Sequence, residues 1–200
     1  MADGALKPLA PFYGLAGAGA GHGVIATDRD GLGLATVAAR KGQGPALGQR
    51  VKERFGLLLP DGPHRQAAGG VSLAGTGPGM WLAAREGGGN DFAAALEAQI
   101  GDLAAVTDQS DGYAVLRLAG PDVRNALAKL IPLDLHARAF KPGDVASTVA
   151  SHMGVTLWRL DDAPDGSPVF EIAVFRSLAG SFWHALSQNA AQFGLCVTAP

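Results

Sequence analysis

Apolar residues along the chain alternate with polar ones in short runs, and each run is followed by apolar residues at helical spacing. The pattern is clearest between 113 and 132. Alternating apolar side chains there predict one buried face of a strand, and residues spaced three and four apart after it predict one buried stripe of a helix. The strand positions are Ala114, Leu116 and Leu118, and the helix positions are Val123, Leu127, Leu130 and Ile131.

Turn and capping residues mark the ends of this predicted helix. Gly120 is predicted to turn the chain, and Pro121 suits the first helical position, where its missing N–H is not needed. Asp122 would place a negative charge in the first turn, where the helix dipole favours it. Pro132 is predicted to end the helix. The segment therefore predicts a strand, a turn, a helix and a stop.

The same strand-then-helix arrangement is predicted three more times. Strands are predicted over 32–39, 80–85 and 170–175, and apolar stripes at helical spacing follow each of them. Asn90 is predicted as the N-cap of the second of these helices, because its side chain can accept a backbone hydrogen bond. The stripes comprise Leu47, Val51 and Phe55 in the first helix, Phe92, Leu96 and Ile100 in the second, and Leu178, Phe182, Leu186 and Phe193 in the last.

Further strands between these units complete the predicted topology. They cover 71–76, 103–108, 145–150 and 155–160, and a turn at Asp165-Gly166 is predicted to join the last of them to the strand at 170. The order approximates β-α-β-β-α-β, twice. It predicts an α+β fold of two ferredoxin-like split β-α-β halves, with antiparallel sheets and helices packed on one face.

The chain is predicted to form a single domain over 24–200, preceded by a flexible Gly/Ala-rich arm over 1–23. The arm contains a glycine-rich segment over 14–23, which lacks the spacing of a dinucleotide-binding loop. The third glycine of such a loop would fall at His22 or Val24, depending on the register. The segment is therefore interpreted as an arm or linker, which can lie across a partner at an entropic cost.

The composition of the chain limits the classes of partner that it is expected to bind. Charged residues make up 17% of the 200 positions, against about 25% in typical domains. The low charge has two interpretations: a bias towards alanine and glycine, or a surface buried against partner subunits, where interface cores are depleted of charge. The net charge of −2 and the scattered positions of the 16 Lys and Arg residues argue against binding to nucleic acid.

Apolar segments and cysteine content indicate where the protein is located and whether it contains a disulfide. No apolar run reaches the about 20 residues that cross a bilayer, and the first residues do not resemble a secretory signal, so no membrane association and a cytoplasmic location are expected. The single cysteine, Cys196, excludes an internal disulfide and is interpreted as a small apolar residue. Trp158 is predicted in the core, while Trp81 and Trp183 fit either the core or an interface.

Residues of catalytic type do not form a recognisable centre in the sequence. No two histidines stand three or four residues apart, as a zinc pair on one helix would require, and no Gly-x-Ser-x-Gly motif places a serine nucleophile. Asp161-Asp162 is interpreted as a solvated turn, because the glycine and glutamate of a calcium loop are missing. We therefore predict no catalytic, cofactor-binding or metal-binding residue in this chain. The histidines are His22, His64, His136, His152 and His184.

The run from Asp108 to Asp134 resembles the opening of the folate-binding domain in the aminomethyltransferase superfamily, which includes the glycine-cleavage T-protein. That family shows an Asp-x-Ser element, a strand, Gly-x-Asp, a helix with a spaced leucine, and a final aspartate. A later stretch, 170–183, resembles the family's next strand and helix up to its tryptophan. The matching positions in the first run are Asp108, Ser110, Gly120, Asp122, Leu127 and Asp134.

Two segments, 134–145 and 175–186, resemble more specifically the gamma subunits of bacterial heterotetrameric sarcosine oxidases. The resemblance implies a mainly structural subunit of a complex that demethylates sarcosine oxidatively to glycine. With tetrahydrofolate and O2, such a complex gives 5,10-methylenetetrahydrofolate and H2O2. The implied partners are the alpha, beta and delta subunits, which would hold FAD, FMN, NAD, zinc and tetrahydrofolate, whereas this chain would hold none of them.

One departure from the aminomethyltransferase pattern matters for chemistry. An aspartate that assists folate chemistry stands just before the tryptophan in that family, and here the matching residues are Gly180, Ser181 and Phe182. None of them ionises near neutral pH, so none can supply the proton transfer or charge stabilisation. Since no carboxylate side chain occurs between 172 and 200, we expect that the folate-domain fold is retained without its chemistry.

One alternative is an assembly module in some other oxidase. The other is a stand-alone folate-dependent one-carbon protein of the same fold. It would depend on Asp108 and Asp134, the carboxylates that could approach a pteridine. Both also occupy ordinary turn positions for aspartate, one before a predicted hairpin and one after a helix end.

Overall fold

Two sheets form the framework of the molecule, with helices on their outer faces. The computed structural model describes residues 9–12, 14 and 20–198. The first part of the chain contains β1 (Val24–Asp28), β2 (Gly33–Ala39), α1 (Gly44–Phe55), β3 (Arg65–Ala68), β4 (Val71–Gly77), β5 (Met80–Arg85), α2 (Asp91–Ile100) and β6 (Ala104–Asp108). The second part contains β7 (Tyr113–Ala119), α3 (Val123–Ala128), β8 (Val145–Ala150), β9 (Met153–Arg159), β10 (Val169–Phe175), α4 (Ala179–Ala190) and β11 (Leu195–Thr198).

The five-stranded sheet has the order β3-β4-β5-β2-β6. Its strands and helices β2-α1-β4-β5-α2-β6 follow the predicted β-α-β-β-α-β order, and β3 adds an edge strand to them. Alternate residues of β2 face opposite sides: Ala35 and Val37 pack with α1 and α2, whereas Leu34 packs towards the second sheet. This sheet is therefore covered by helices on one face only.

The six-stranded sheet has the order β11-β1-β7-β10-β9-β8. The second half runs β7-α3-β9-β10-α4-β11, with β8 added at the edge. Strand β1 is inserted between β7 and β11; it pairs parallel with β11 and antiparallel with β7. The two ferredoxin-like halves predicted from the sequence are thus confirmed, and the second half is widened by a strand from the N-terminal part of the chain.

The two sheets pack face to face, and their helices lie outside, so the fold has four layers. Along β7 the three alternating residues Ala114, Leu116 and Leu118 pack with α3 and α4, while Val115 faces the five-stranded sheet. All four are buried, so β7 is covered on both faces. The core between the sheets comprises Leu34, Ala74, Leu82, Val115, Val145, Trp158 and Ala173.

Helix α3 is shorter than predicted. It begins at Val123 and ends at Ala128, so Pro121 precedes the helix, Asp122 occupies the N-cap instead of the first turn, and the helix stops before Pro132. The N–H of Asp122 donates to the carbonyl of Gly23 at 2.9 Å, and this tertiary hydrogen bond holds the residue in a non-helical conformation.

The other predicted helix ends need smaller corrections. Asn90 does occupy the N-cap of α2, but its side chain makes no capping hydrogen bond. Leu178 and Phe193 lie in short 3-10 turns on either side of α4. The strands β1, β3 and β11 were not predicted.

Part of the predicted arm over 1–23 packs on the domain. The Phe12 ring is buried against Trp183, with the ring centroids 6.4 Å apart, and the N–H of Gly23 donates to the carbonyl of Phe193 at 3.0 Å. Residues 1–8, 13 and 15–19 of the arm lie outside the described residues, so the flexible arm and the boundary at 24 stay predictions. No helix among the described residues is long and apolar enough to cross a membrane.

Candidate functional site

A buried carboxylate lies between the two sheets. Glu171 of β10 is 4% exposed, and its Oε1 accepts hydrogen bonds from Arg29 Nε at 2.9 Å and from Arg117 Nε at 2.9 Å. Its Oε2 accepts from Trp158 Nε1 at 2.8 Å. The strand register explains the arrangement, because Glu171 lies directly opposite Arg117 on β7 and Trp158 on β9.

Arg29 extends this cluster to the second sheet. Its Nη2 pairs with the carboxylate of Glu86, which follows β5. The Glu86 side chain is 61% exposed, whereas that of Arg29 is 14% exposed. The ion pair of Arg29 with Glu171 is therefore buried, and its ion pair with Glu86 is in contact with water. One guanidinium therefore ties Glu171 on the six-stranded sheet to Glu86 on the five-stranded sheet.

A cavity of about 700 Å³ opens beside this cluster. It lies between β3, the far ends of β7 and β10, and the loops at 142–143 and 160–164. Arg65, Arg117 and Arg159 supply cationic residues to its wall. The exposed residue Asp161 also lines it. A smaller cavity of about 200 Å³ is also lined by Arg65, together with Trp158 and Glu171.

Arg65 lines both of these cavities. Its strand partner Ala74 belongs to the core between the sheets, and because directly paired residues project to the same face, Arg65 also points between them. Among the residues that the structure describes, no carboxylate lies within 4 Å of its guanidinium. Burial lowers the pKa of Arg65, and the nearby Glu171 carboxylate opposes that shift.

Arg159 lies on the opposite face of β9 from Trp158. Its side chain is 1% exposed, its guanidinium carbon is 5.0 Å from the centre of the Phe170 ring, and it pairs with Asp162. Its Nη1 also donates to the carbonyl of Val169 at 2.8 Å. Asp162, interpreted from the sequence as part of a solvated turn, is exposed and at the same time anchors this buried cation.

The two carboxylates singled out from the sequence stabilise turns. Asp108 Oδ1 accepts from the N–H of Ser110 at 2.9 Å and from its Oγ at 2.7 Å. Asp134 Oδ1 accepts from the N–H of His136 at 2.9 Å. Neither aspartate lines the cavities described above. Asp108 and Asp134 therefore do not belong to the site that contains Glu171.

The position that corresponds to the folate-assisting aspartate of the aminomethyltransferases lies at the start of α4. Gly180 and Ser181 are exposed there, while Phe182 is fully buried in the core beneath the six-stranded sheet. Trp183 is also buried, which settles the choice left open by the sequence in favour of the core. Among the described residues there is no group of three His, Cys, Asp or Glu side chains that could hold a metal ion.

A second opening, the apolar groove, lies at the opposite end of the space between the sheets. We define it by Met80, Tyr113, Val149 and Phe175, with Trp81 also lining it. Met80, Val149 and Phe175 are 44%, 45% and 49% exposed, and the Tyr113 and Phe175 rings stack with centroids 4.9 Å apart. The groove has a volume of about 560 Å³, and none of the described residues that line it is charged. The polar part of its lining comes from Thr36, Thr76, Ser147, Thr148 and Thr156.

The fold defined by these features is that of the folate-binding aminomethyltransferase domain. The aminomethyltransferase T of the Bartonella henselae glycine cleavage system matches with a TM-score of 0.60 at 16% identity, over 88% of this chain and 47% of that chain. The heterotetrameric sarcosine oxidase from Corynebacterium sp. U-96, solved with pyrrole 2-carboxylate, matches with a TM-score of 0.73 at 24% identity, over 88% of both chains.

The sequence identifies the family more narrowly. The model of the sarcosine oxidase, gamma subunit family matches residues 40–192, and the chain belongs to that family. Two relatives named sarcosine oxidase subunit gamma are each 37% identical. The one from Arthrobacter sp. aligns over 64% of this chain and 57% of its own length, and the one from Corynebacterium sp. (strain P-1) over 54% of each. The chain thus spans little more than half the length of these relatives.

Sequence reasoning missed the site between the sheets. Glu171 stands within a predicted strand, and Arg117 within another, but their pairing depends on which strands become neighbours. Arg29 precedes a predicted strand and Arg65 precedes another, and neither belongs to a motif. The available signal was a charged residue inside each of two otherwise apolar strands, which indicates a buried ion pair when the strands are adjacent.

Proposed function

We propose that this chain is the gamma subunit of a heterotetrameric sarcosine oxidase and that its role is mainly structural. The complex would demethylate sarcosine to glycine with tetrahydrofolate and O2, and would release 5,10-methylenetetrahydrofolate and H2O2. Its partners would be the alpha, beta and delta subunits, which would hold FAD, FMN, NAD, zinc and tetrahydrofolate. The proposed location is the cytoplasm, and no nucleic acid or membrane takes part.

The observation that carries this proposal is the apolar groove. Interface cores are depleted of charged residues and enriched in aromatic residues and methionine, and the groove combines Met80, Tyr113, Trp81 and Phe175 with an uncharged wall. Exposed apolar groups gathered at one place indicate a binding surface. We propose that a segment of a partner subunit covers this groove.

Three carboxylates, those of Asp108, Asp134 and Glu171, support a structural role over a catalytic one. Asp108 and Asp134 accept hydrogen bonds within their own turns, and both oxygens of Glu171 already accept from protein donors. A general acid or base must be within hydrogen-bond reach of its substrate. These three groups are instead committed to neighbouring side chains and backbone.

Co-expression with the alpha, beta and delta chains tests the proposal. We expect the four chains to elute together on size exclusion and the mixture to produce H2O2 from sarcosine. Omitting this chain should lower the yield of the assembled enzyme while leaving the flavins on the other chains. A chain that purifies alone as a stable monomer and does not join the others would contradict the proposal.

Calorimetry of the separately produced chain with tetrahydrofolate distinguishes the alternative function. The structural role predicts no saturable heat up to millimolar folate. A micromolar site on the chain itself would instead support a stand-alone folate-dependent one-carbon protein. The two assays are independent, so a failure of assembly and a gain of folate binding can be told apart.

A further inference from the structure

The cations around Glu171 outnumber the anions that face them. Arg29, Arg65 and Arg117 lie around this space; Arg29 pairs with Glu171 and Glu86, Arg117 pairs with Glu171, and Arg65 pairs with neither carboxylate. Glu86 is largely solvated, so it compensates little of the charge in the interior. Arg65 is partly exposed, so water solvates part of its guanidinium, and no carboxylate in contact with it neutralises the charge that it brings to the cavity wall. The local charge is thus incompletely balanced on the side of Arg65.

The Glu171 carboxylate cannot also neutralise the charge of Arg65. Its Oε1 accepts hydrogen bonds from Arg29 Nε and Arg117 Nε and lies 2.7 Å from Arg117 Nη2 in the same ion pair, and its Oε2 accepts from Trp158. These donors occupy most of the lone-pair directions of a carboxylate. In the described part of the chain, Arg65 has no hydrogen-bonded side-chain partner, and Arg117 retains Nη1 as an unused donor.

We propose that the cavity beside Arg65 and Arg117 binds a small molecule bearing a carboxylate or phosphate group, held between the two guanidinium groups. Arginine presents paired N–H groups whose geometry matches both of these anions. The cavity volume of about 700 Å³ lies in the range of small-molecule sites, about 300–1,000 Å³. Ala67, Leu160 and Val169 supply apolar wall for the remainder of the ligand.

Asp161 allows a second prediction, which concerns how the affinity of this cavity for its ligand depends on the charge of the ligand. It also lines the cavity and is exposed, so its carboxylate faces water and repels an incoming anion weakly. Neutralising it should therefore strengthen binding of an anion, whereas it would weaken binding of a cation. The variant Asp161→Asn thus reports the charge of the ligand without altering either arginine.

Equilibrium dialysis with labelled succinate and labelled inorganic phosphate tests the proposal on the co-expressed assembly. At matched ionic strength, Arg65→Met should lose one bound anion per gamma chain, or weaken it by about tenfold or more, which corresponds to about 1.4 kcal/mol. Arg65→Lys keeps the charge and should retain weaker binding. Arg54→Met, which removes an exposed cation on α1, should bind as the unsubstituted protein does.

The test rests on the proposed oxidase role, because it uses the co-expressed assembly; size exclusion of the same samples measures assembly separately, so loss of the bound anion can be told apart from failure to assemble. Loss of bound anion in Arg65→Met, with assembly intact and tighter binding in Asp161→Asn, supports the proposal. Equal anion binding by Arg65→Met and the unsubstituted protein overturns it. An assembly defect in Arg65→Met without loss of bound anion would place the carboxylate on a partner chain and would also overturn it.

Discussion

Arg29 Nε lies 2.9 Å from Oε1 of Glu171, and the two residues are 142 positions apart in the chain. Arg29 follows β1 directly. Because β1 lies between β11 and β7, and β7 lies beside β10, Arg29 comes close to Glu171 of β10. The backbone N–H of Arg29 also donates to the carbonyl of Val115 at 3.0 Å. Insertion of β1 into the second half therefore delivers the cation that links the two sheets.

Replacing Glu171 should destabilise the protein far more than replacing Glu86. Glu171→Gln leaves Arg29 and Arg117 without their buried anion, and the loss of one member of a buried pair costs about 3–5 kcal/mol. Glu86→Gln breaks a pair whose carboxylate is largely exposed, so we expect about 0–1 kcal/mol. Urea unfolding followed by tryptophan fluorescence gives both free energies. Equal losses in the two variants would mean that the burial of Glu171 does not determine its contribution.

Two glycines offer a matched pair with opposite expected effects. A Cβ at Gly75 would overlap the carbonyl of Gly62, and the N–H of Gly75 donates to the carbonyl of His64 at 2.9 Å, so the backbones cannot separate freely. Gly75→Ala should therefore destabilise by about 1–3 kcal/mol. Gly180 lies on α4 with open space around it, and Gly180→Ala should stabilise by about 0.5–1 kcal/mol.

Thermal and urea unfolding of both glycine variants test this contrast. The same chemical change is made twice, so differences in the unfolded chain are similar in the two cases. If Gly75→Ala were as stable as the unsubstituted protein, the close approach between 62 and 75 would not be a real constraint. If Gly180→Ala were destabilised, the open space on α4 would be in doubt.

The sequence predicted the strands that carry an alternating or continuous apolar pattern. β7 carries an alternating pattern and β5 a nearly continuous apolar run, and the repeated order of elements predicted both ferredoxin-like halves. β3 has the sequence Arg-Gln-Ala-Ala, which lacks any apolar face, and it forms because β4 offers an edge. β1 and β11 pair in parallel across the whole length of the chain, and short segments with such distant partners carry little local signal.

The candidate site could not be predicted for a related reason. Glu171 and Arg117 were each visible as charged residues in apolar strands, but Arg29 and Arg65 come from segments before β2 and at the edge strand β3. Whether these four side chains meet depends on the packing of one sheet on the other. No periodicity in the sequence reports that packing, so the site follows from the structure alone.

Asp28 should make the protein less stable as the pH rises. Burial raises the pKa of Asp28, and the neighbouring Asp30 carboxylate raises it further; its Oδ1 is buried with no hydrogen-bond partner among the described residues. The folded state therefore keeps this proton at a pH where the unfolded chain, with a pKa of about 3.9, has lost it. Its favourable contribution is complete below the unfolded pKa and disappears as the pH rises through the folded pKa.

The variant Asp28→Asn tests this dependence. Its free energy of unfolding relative to the unsubstituted protein should increase from pH 4 towards pH 7, because an amide carries no buried charge. Asp111→Asn, at an exposed turn, is the matched control and should show no such trend. A constant difference between Asp28→Asn and the unsubstituted protein across this pH range would show that the Asp28 carboxylate ionises as easily in the folded state as in the unfolded one.

A charge placed in the apolar groove should prevent assembly without preventing folding. Phe175 is 49% exposed and stacks on Tyr113, so Phe175→Glu is tolerated in water, but a partner covering the groove would bury an unpaired carboxylate. We expect binding to the co-expressed subunits to weaken by at least about tenfold, measured by size exclusion and affinity capture. Leu58→Glu alters a side chain that is 63% exposed and outside the groove, and it should assemble normally. Because both variants add the same charge at exposed positions, a defect confined to Phe175→Glu locates the partner on the groove, whereas equal assembly of the two would remove the groove as the contact surface.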